Sequence, residues 1–182
     1  MGWQTADRRH FTAPALRAPE IILRSDFGPK VDIWSVGCLT FELLVGRWLF
    51  QPEDGGEDWS FEDDQLAKIL ELTGEKFSKA TLDRAQLRTK YFDDEGKMST
   101  PFYWTAFPVL INELSNAGKL LRIHDLYPVS IETALSNYKI LPEEEITPAA
   151  AFIRECLRLN SSDRPSAKEL ELHSWLKGAF CG

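Results

Sequence analysis

The stretch Asp32-Ile33-Trp34-Ser35-Val36-Gly37-Cys38-Leu39-Thr40-Phe41-Glu42-Leu43-Leu44-Val45-Gly46 decides how the rest of the chain is read. Its apolar residues fall on every face of a 3.6-residue helix, and Gly46 is placed to end that helix as a C-terminal cap. A helix apolar all round is one that other elements surround. The run from Val31 to Val45 carries Asp32 and Glu42 and falls short of the roughly 20 residues needed to cross a bilayer, so it predicts a core helix instead of a membrane span.

Upstream of it, Pro19 opens a short helical turn over Glu20 to Leu23, and Ser25-Asp26-Phe27-Gly28-Pro29 is a loop of turn formers. Downstream, Trp48-Leu49-Phe50-Gln51-Pro52 leads into an acidic loop. Ser60 or Asp63 then caps a helix carrying Leu66, Ile69, Leu70 and Thr73, which Gly74 stops. Lys79 to Lys90 fits a further helix, and Asp93-Asp94-Glu95-Gly96, between Tyr91-Phe92 and Lys97-Met98, reads as the turn of a small hairpin. Phe77 to Ile146 is the least legible region. Thr147 and Pro148 fit the cap and first position of a helix with Phe152, Ile153, Cys156 and Leu157 on one side. Ser166-Ala167-Lys168-Glu169 is a capping box opening the last helix. With no alternation of strand and helix, no repeat and no low-complexity linker, the expectation is one mainly α unit.

At 182 residues and 43% apolar composition the chain has enough material for a real core and is not intrinsically disordered. Its net charge of −7 argues against direct nucleic-acid binding, whose footprint is a basic patch, and toward cationic partners. Cys38, Cys156 and Cys181 are odd in number and widely spaced, which indicates neither a disulfide framework nor a zinc site and makes a reducing compartment the default. Met1 to His10 has no apolar run behind its positive charges, so it reads as no secretory signal. An intracellular protein, cytoplasmic or nuclear and without membrane attachment, is expected.

Three groups of residues carry a resemblance. Leu16-Arg17-Ala18-Pro19-Glu20, then Asp32-Ile33-Trp34-Ser35-Val36-Gly37, then Asp163-Arg164-Pro165 resemble three landmarks of the C-terminal lobe of eukaryotic protein kinases, in the family's order. His173-Ser174-Trp175-Leu176 is similar to the H-x-W-L that closes many such domains, so the resemblance runs from about His10 to Leu176. Asp64-Gln65-Leu66 leading to Ile69-Leu70-Glu71-Leu72-Thr73-Gly74 resembles the CMGC group. Phe41-Glu42-Leu43-Leu44-Val45-Gly46-Arg47-Trp48-Leu49-Phe50, with acids behind it, resembles the serine/threonine kinases of arginine-serine-rich (SR) proteins, especially the fungal ones. The implied fold is the lower part of a kinase C-terminal lobe without the ATP-binding lobe. Its divisions are residues 1–17, a remnant of the activation segment; 18–76, the A-P-E segment, central helix and docking helix; 77–146, a CMGC-type insert; and 147–177, the closing helices.

In the family, the glycine-rich loop over the ATP phosphates, the strand lysine, the H-R-D aspartate and the magnesium-binding D-F-G aspartate all precede A-P-E. Only 17 residues precede Ala18, too few for them, so this chain alone is expected to be inactive. No residue is assigned to catalysis, metal or cofactor; ATP and magnesium belong to the intact family. Asp26-Phe27-Gly28 spells D-F-G but follows Glu20, and is read as a turn between helices. Ile123-His124-Asp125-Leu126 is similar to a catalytic loop yet lacks its arginine and comes far too late, so His124 is read as an ordinary surface or core histidine.

The resemblance implies that Glu20 and Arg164 form a buried ion pair tying the activation segment to the closing helices, and that Asp32 accepts N–H bonds from a catalytic loop not found in this sequence. Asp32 could equally complement a helix dipole. Ala18, Pro19, Trp34 and Gly37 are structural members of the motifs, the last two packing residues. Arg17 to Glu20 is similar to the loop that receives the residue beside the phosphorylated one. Here the chain departs from the pattern, since Ala13 stands where active kinases usually carry threonine, with Thr12 one position off.

Seven acids, Glu53, Asp54, Glu57, Asp58, Glu62, Asp63 and Asp64, form a run without a basic residue, which ordinarily is solvated surface. The SR-kinase resemblance implies instead a docking groove for arginine-serine-rich proteins. In it Asp64 and Glu71 are the helical carboxylates, about 10 Å apart on one helix face, and Asp63 contributes to the surrounding field. Two functions follow as alternatives: the C-terminal part of an SR-protein-type serine/threonine kinase, or a non-catalytic module that binds arginine-rich proteins.

Overall fold

The computed structural model describes residues 13–92 and 120–179. Helices α1 (Pro19–Ile22), α2 (Lys30–Val45), α3 (Phe61–Thr73), α4 (Lys79–Asp83) and α5 (Arg88–Tyr91) occupy the first part; α6 (Ile131–Ser136), α7 (Glu143–Cys156), α8 (Ala167–Leu170) and α9 (Ser174–Ala179) occupy the second. Single 3-10 turns stand at Pro14–Leu16 and Ser161–Asp163. The only pairing of extended chain among the described residues is an isolated antiparallel bridge from Phe92 to Leu120. The expected hairpin turn at Asp93 to Gly96 and its second arm lie outside the described residues.

The central helix forms where the sequence places it. Gly46 ends α2 in the left-handed conformation (φ 72°), its N–H bonding to the Glu42 carbonyl, a geometry that costs a residue with a Cβ considerably more. α2 crosses α7 at close range, and Gly37 marks the crossing: a Cβ there would sit 2.7 Å from that of Cys156 and 3.0 Å from Leu157. Around this contact Trp34, Phe41, Leu66, Ile69, Ile153 and Cys156 are buried, and Trp34 stacks on Phe50 with centroids 5.9 Å apart.

Three expectations need correction. α2 is not surrounded on all sides: Val36, Leu39 and Leu43 are exposed, Leu43 at 85%. Val36 and Leu43 flank an open apolar cleft of about 450 Å³ bounded by Leu170, Trp175 and Leu176. A periodic pattern shows which faces are apolar, whereas burial also needs an element to lie on each. Second, α7 begins at Glu143, not at Thr147, and Pro148 lies inside it. Pro142 provides the cap position and Glu143, Glu144 and Glu145 fill the first turn, where carboxylates complement the helix dipole. These signals outweigh the one backbone bond that Pro148 cannot make. Third, Lys79 to Lys90 divides into α4 and α5, and the capping box of Ser166 and Glu169 opens the four-residue α8, after which a separate α9 follows.

Candidate functional site

Arg164 is the most heavily bonded side chain of the described molecule. It lies on the chain just after the Ser161–Asp163 turn, 1% exposed, and grips Glu20 of α1 through two parallel bonds, Nη1 to Oε1 at 2.6 Å and Nη2 to Oε2 at 2.8 Å. Its remaining N–H groups donate to the carbonyls of Arg158 (2.8 Å), Lys30 (3.0 Å) and Leu159 (3.4 Å), so all five donors of the guanidinium are engaged. The guanidinium also lies 5.1 Å from the ring centroid of Trp34. Lys30 answers through Nζ, which donates to the carbonyls of Ser162 and Arg164. One side chain thereby joins α1, the start of α2 and the segment after α7, with Ala18 and Pro19 buried beside it.

Asp32 behaves differently. It stands in the first turn of α2 with its side chain exposed, so water solvates it and no buried acceptor is stranded. Asp26, Phe27 and Gly28 form an exposed loop between α1 and α2, and His124 lies exposed on the loop before α6. Among the described residues no three or more His, Cys, Asp or Glu side chains are grouped to hold a metal ion. Burial pushes the Cys38 thiol far above the ordinary range and the Cys156 thiol up to about 12, which makes neither a nucleophile.

The loop before α1 is anchored to both neighbouring helices. Ser35 Oγ donates to the Leu16 carbonyl at 3.4 Å, and the fully buried Gln65 of α3 donates through Nε2 to the Pro14 carbonyl at 2.6 Å. Arg17 approaches Glu62 of α3 to 3.9 Å. Ala13, exposed, begins the turn. Gln65 is a positioning residue that sequence reading missed, since only its place on the buried side of α3 would have marked it.

Along α3 the three acids of interest have separate surroundings. Ser60 caps the helix by accepting the Asp63 N–H at 3.4 Å, and Asp63 Oδ2 accepts the Ser60 N–H at 2.9 Å, so both candidates for the cap take part in one capping box. Asp63 is 1% exposed and also bonds Arg122 at 2.7 Å. Burial alone would raise its carboxyl, but the Ser60 hydroxyl and N–H and the Arg122 guanidinium together hold it below the usual carboxylate range. Asp63 is thus engaged in contacts within the fold.

Asp64 accepts the Glu53 N–H at 2.7 Å and two bonds from Lys68 Nζ, at 2.9 and 3.1 Å. Glu71, one turn beyond Lys68, accepts the Tyr127 N–H through Oε1 at 2.8 Å. Glu71 and Lys68 line a cleft of about 270 Å³ with Phe41, Leu72, Val129 and Tyr138. The acidic run thus has basic partners outside its own span. Lys68, four residues past Asp64, was readable as an i,i+4 pair. Arg122 was not, because only the fold brings it to Asp63.

Comparison with known proteins gives these contacts a context. Residues 5–176 match the sequence profile of the protein kinase domain. The chain is 30% identical over 172 residues to human SRSF protein kinase 3, covering 92% of this chain and 26% of that protein. It is 30% identical over 161 residues to serine/threonine-protein kinase SKY1 of Saccharomyces cerevisiae, covering 88% and 18%, respectively. With serine/threonine-protein kinase spk-1 of Caenorhabditis elegans the identity is 32% over 160 residues, 88% of this chain and 14% of the other. The chain spans about a quarter or less of the length of these curated relatives.

Proposed function

Because this chain belongs to the protein kinase domain family, with an SR-protein kinase-like sequence of the CMGC group, we propose that it is the lower, substrate-holding part of a serine/threonine kinase C-terminal lobe and that α3 docks arginine-serine-rich proteins. In this reading ATP-dependent phosphorylation of protein serine belongs to the whole enzyme, and the present residues orient the substrate chain. The observation that carries the proposal is the placement of Asp64 and Glu71 seven residues apart on α3, where about 1.5 Å per residue separates them by about 10 Å. The same helix holds the loop containing Arg17 through the Gln65 and Glu62 contacts, so a peptide on α3 would lead toward that loop.

The chemistry favours arginine. A carboxylate matches the planar guanidinium fork with two parallel bonds, whereas an ammonium is a point charge that gains less from that geometry. Aspartate and glutamate at the surface hold such partners only while salt is moderate, since the Debye length at physiological ionic strength is about 8 Å. An intracellular setting, cytoplasmic or nuclear, is part of the same proposal. No helix among the described residues is long and apolar enough to cross a membrane.

The test is a titration of a fluorescein-labelled (Arg-Ser)₄ peptide against the wild type and against Asp64→Ala with Glu71→Ala. We expect the double variant to bind on the order of tenfold more weakly, about 1.4 kcal/mol, and the wild-type affinity to fall steeply with added salt. Equal affinities for the two proteins reject docking on α3. A lysine-for-arginine peptide that binds as well as the original rejects recognition of the guanidinium.

A further inference from the structure

The docking face of α3 is not empty of cations. Lys68 stands between the two groove carboxylates, four residues after Asp64 and three before Glu71, and its ammonium already occupies both oxygens of Asp64. Asp64 is itself fixed from behind by the Glu53 N–H at 2.7 Å and is 15% exposed, while Lys68 is 35% exposed and reaches the rim of the cleft shared with Glu71. An arginine approaching Asp64 therefore meets a site already neutralised. The occupant is held loosely, because a partly exposed i,i+4 pair is a weak contact and the ammonium rides on a flexible four-carbon stem.

Resting on the docking reading above, we propose that Lys68 is an internal competitor that occupies Asp64 until an arginine side chain displaces it, and so sets the affinity threshold of the docking face. An incoming guanidinium forms two parallel bonds with the carboxylate and is less strongly hydrated than the ammonium it replaces. The evicted ammonium swings into solvent or toward Glu71. The cost of eviction is paid once per docking event, so single arginines bind poorly and segments engaging Asp64 and Glu71 together bind well. Lys68 thereby keeps the acidic face closed to isolated cations while leaving it open to a multivalent arginine segment.

The experiment compares the (Arg-Ser)₄ affinities of wild type, Lys68→Met, Lys68→Gln and Lys79→Met at low and physiological salt. Lys79 is a matched control: it also pairs with an aspartate four residues away, Asp83 at 2.7 Å, but on α4 and in a more exposed setting. We expect both Lys68 variants to bind about three- to tenfold more tightly, the range spanned by removing a weak pair and a like charge near the site, and Lys79→Met to stay within about twofold of wild type. The gain should shrink sharply when Asp64→Asn is added, because the competitor then has nothing to occupy. Unchanged or weaker binding by the Lys68 variants overturns the proposal, as does an equal gain from Lys79→Met, which would mark a general charge effect. If Asp64→Ala with Glu71→Ala weakens binding while the Lys68 variants do not strengthen it, docking stands and only the competitor falls. If no variant binds the peptide, both fall together.

Discussion

Two carboxylate–cation contacts in this molecule share the same chemistry and behave as opposites. At Glu20 and Arg164 the partners are 144 residues apart, almost without solvent, and every guanidinium donor has an acceptor. At Asp64 and Lys68 the partners are one helical turn apart, partly exposed, and joined through a group that rotates freely. Breaking the first leaves a charge buried with no water to receive it, whereas breaking the second hands both charges to solvent. Permanence thus comes from burial and saturation of donors, not from the distance between opposite charges, which is 2.6 Å in one case and 2.9 Å in the other.

The largest expected effect tests the permanent side of this contrast. Glu20→Ala and Arg164→Ala should each destabilise by ~3–5 kcal/mol, the usual consequence of orphaning one member of a buried pair. The double variant should lose much less than the sum. Urea melts that are cooperative by two probes supply the numbers, and additive losses would show that the pair is not the coupled unit described. Arg164→Lys keeps the charge but loses the fork and the Arg158 and Leu159 bonds, so it should fail to restore stability.

An intermediate effect belongs to Asp63, which is buried like Glu20 yet local like Asp64. Asp63→Asn should cost ~1–2 kcal/mol, the scale of a lost helix cap together with a weakened Arg122 contact. Its carboxyl is held below the ordinary value in the folded state, so its contribution is present above the unfolded value of 3.8 and is lost as pH falls through the lower folded value. Melts between pH 7 and pH 2.5 should therefore show the gap between wild type and Asp63→Asn closing at the acid end. A gap that stays constant would mean that the carboxylate charge is not what stabilises.

The smallest effect lies at the Asp64–Lys68 pair. Lys68→Met should change stability by no more than about 0.5 kcal/mol, even though it is expected to change peptide affinity severalfold. A destabilisation comparable to that of Asp63→Asn would move Lys68 to the structural side and remove the contrast.

How much of this was legible depended on the range of each interaction. The motif residues Ala18-Pro19-Glu20 and Asp163-Arg164-Pro165 imply the long-range pair through their resemblance to the kinase family, because their identity carries information that spacing does not. The helix over Asp32 to Val45 and its Gly46 cap followed from local pattern alone. The burial of that helix did not, since Val36, Leu39 and Leu43 are as apolar as the residues that face α7. The start of α7 was misplaced because Thr147-Pro148 is a good local beginning, and Pro142 with three glutamates is a better one. On α3, Asp64 and Glu71 share one helix as expected, while the burial of Asp63 in polar contacts depends partly on Arg122, 59 residues away, which no helical period discloses.

The separation of Glu20 from Arg164 also has a meaning in time. At about 5–20 residues per second of synthesis, roughly 7 to 30 s pass between the appearance of the glutamate and that of its arginine. Throughout that interval the residues of α1 and of the first turn of α2 lack the group that joins them to the segment after α7. Closing so large a loop is slow and entropically costly compared with local pairs such as Asp64 and Lys68. The latch can therefore close only once Arg164 has been made, when five hydrogen bonds form around one side chain.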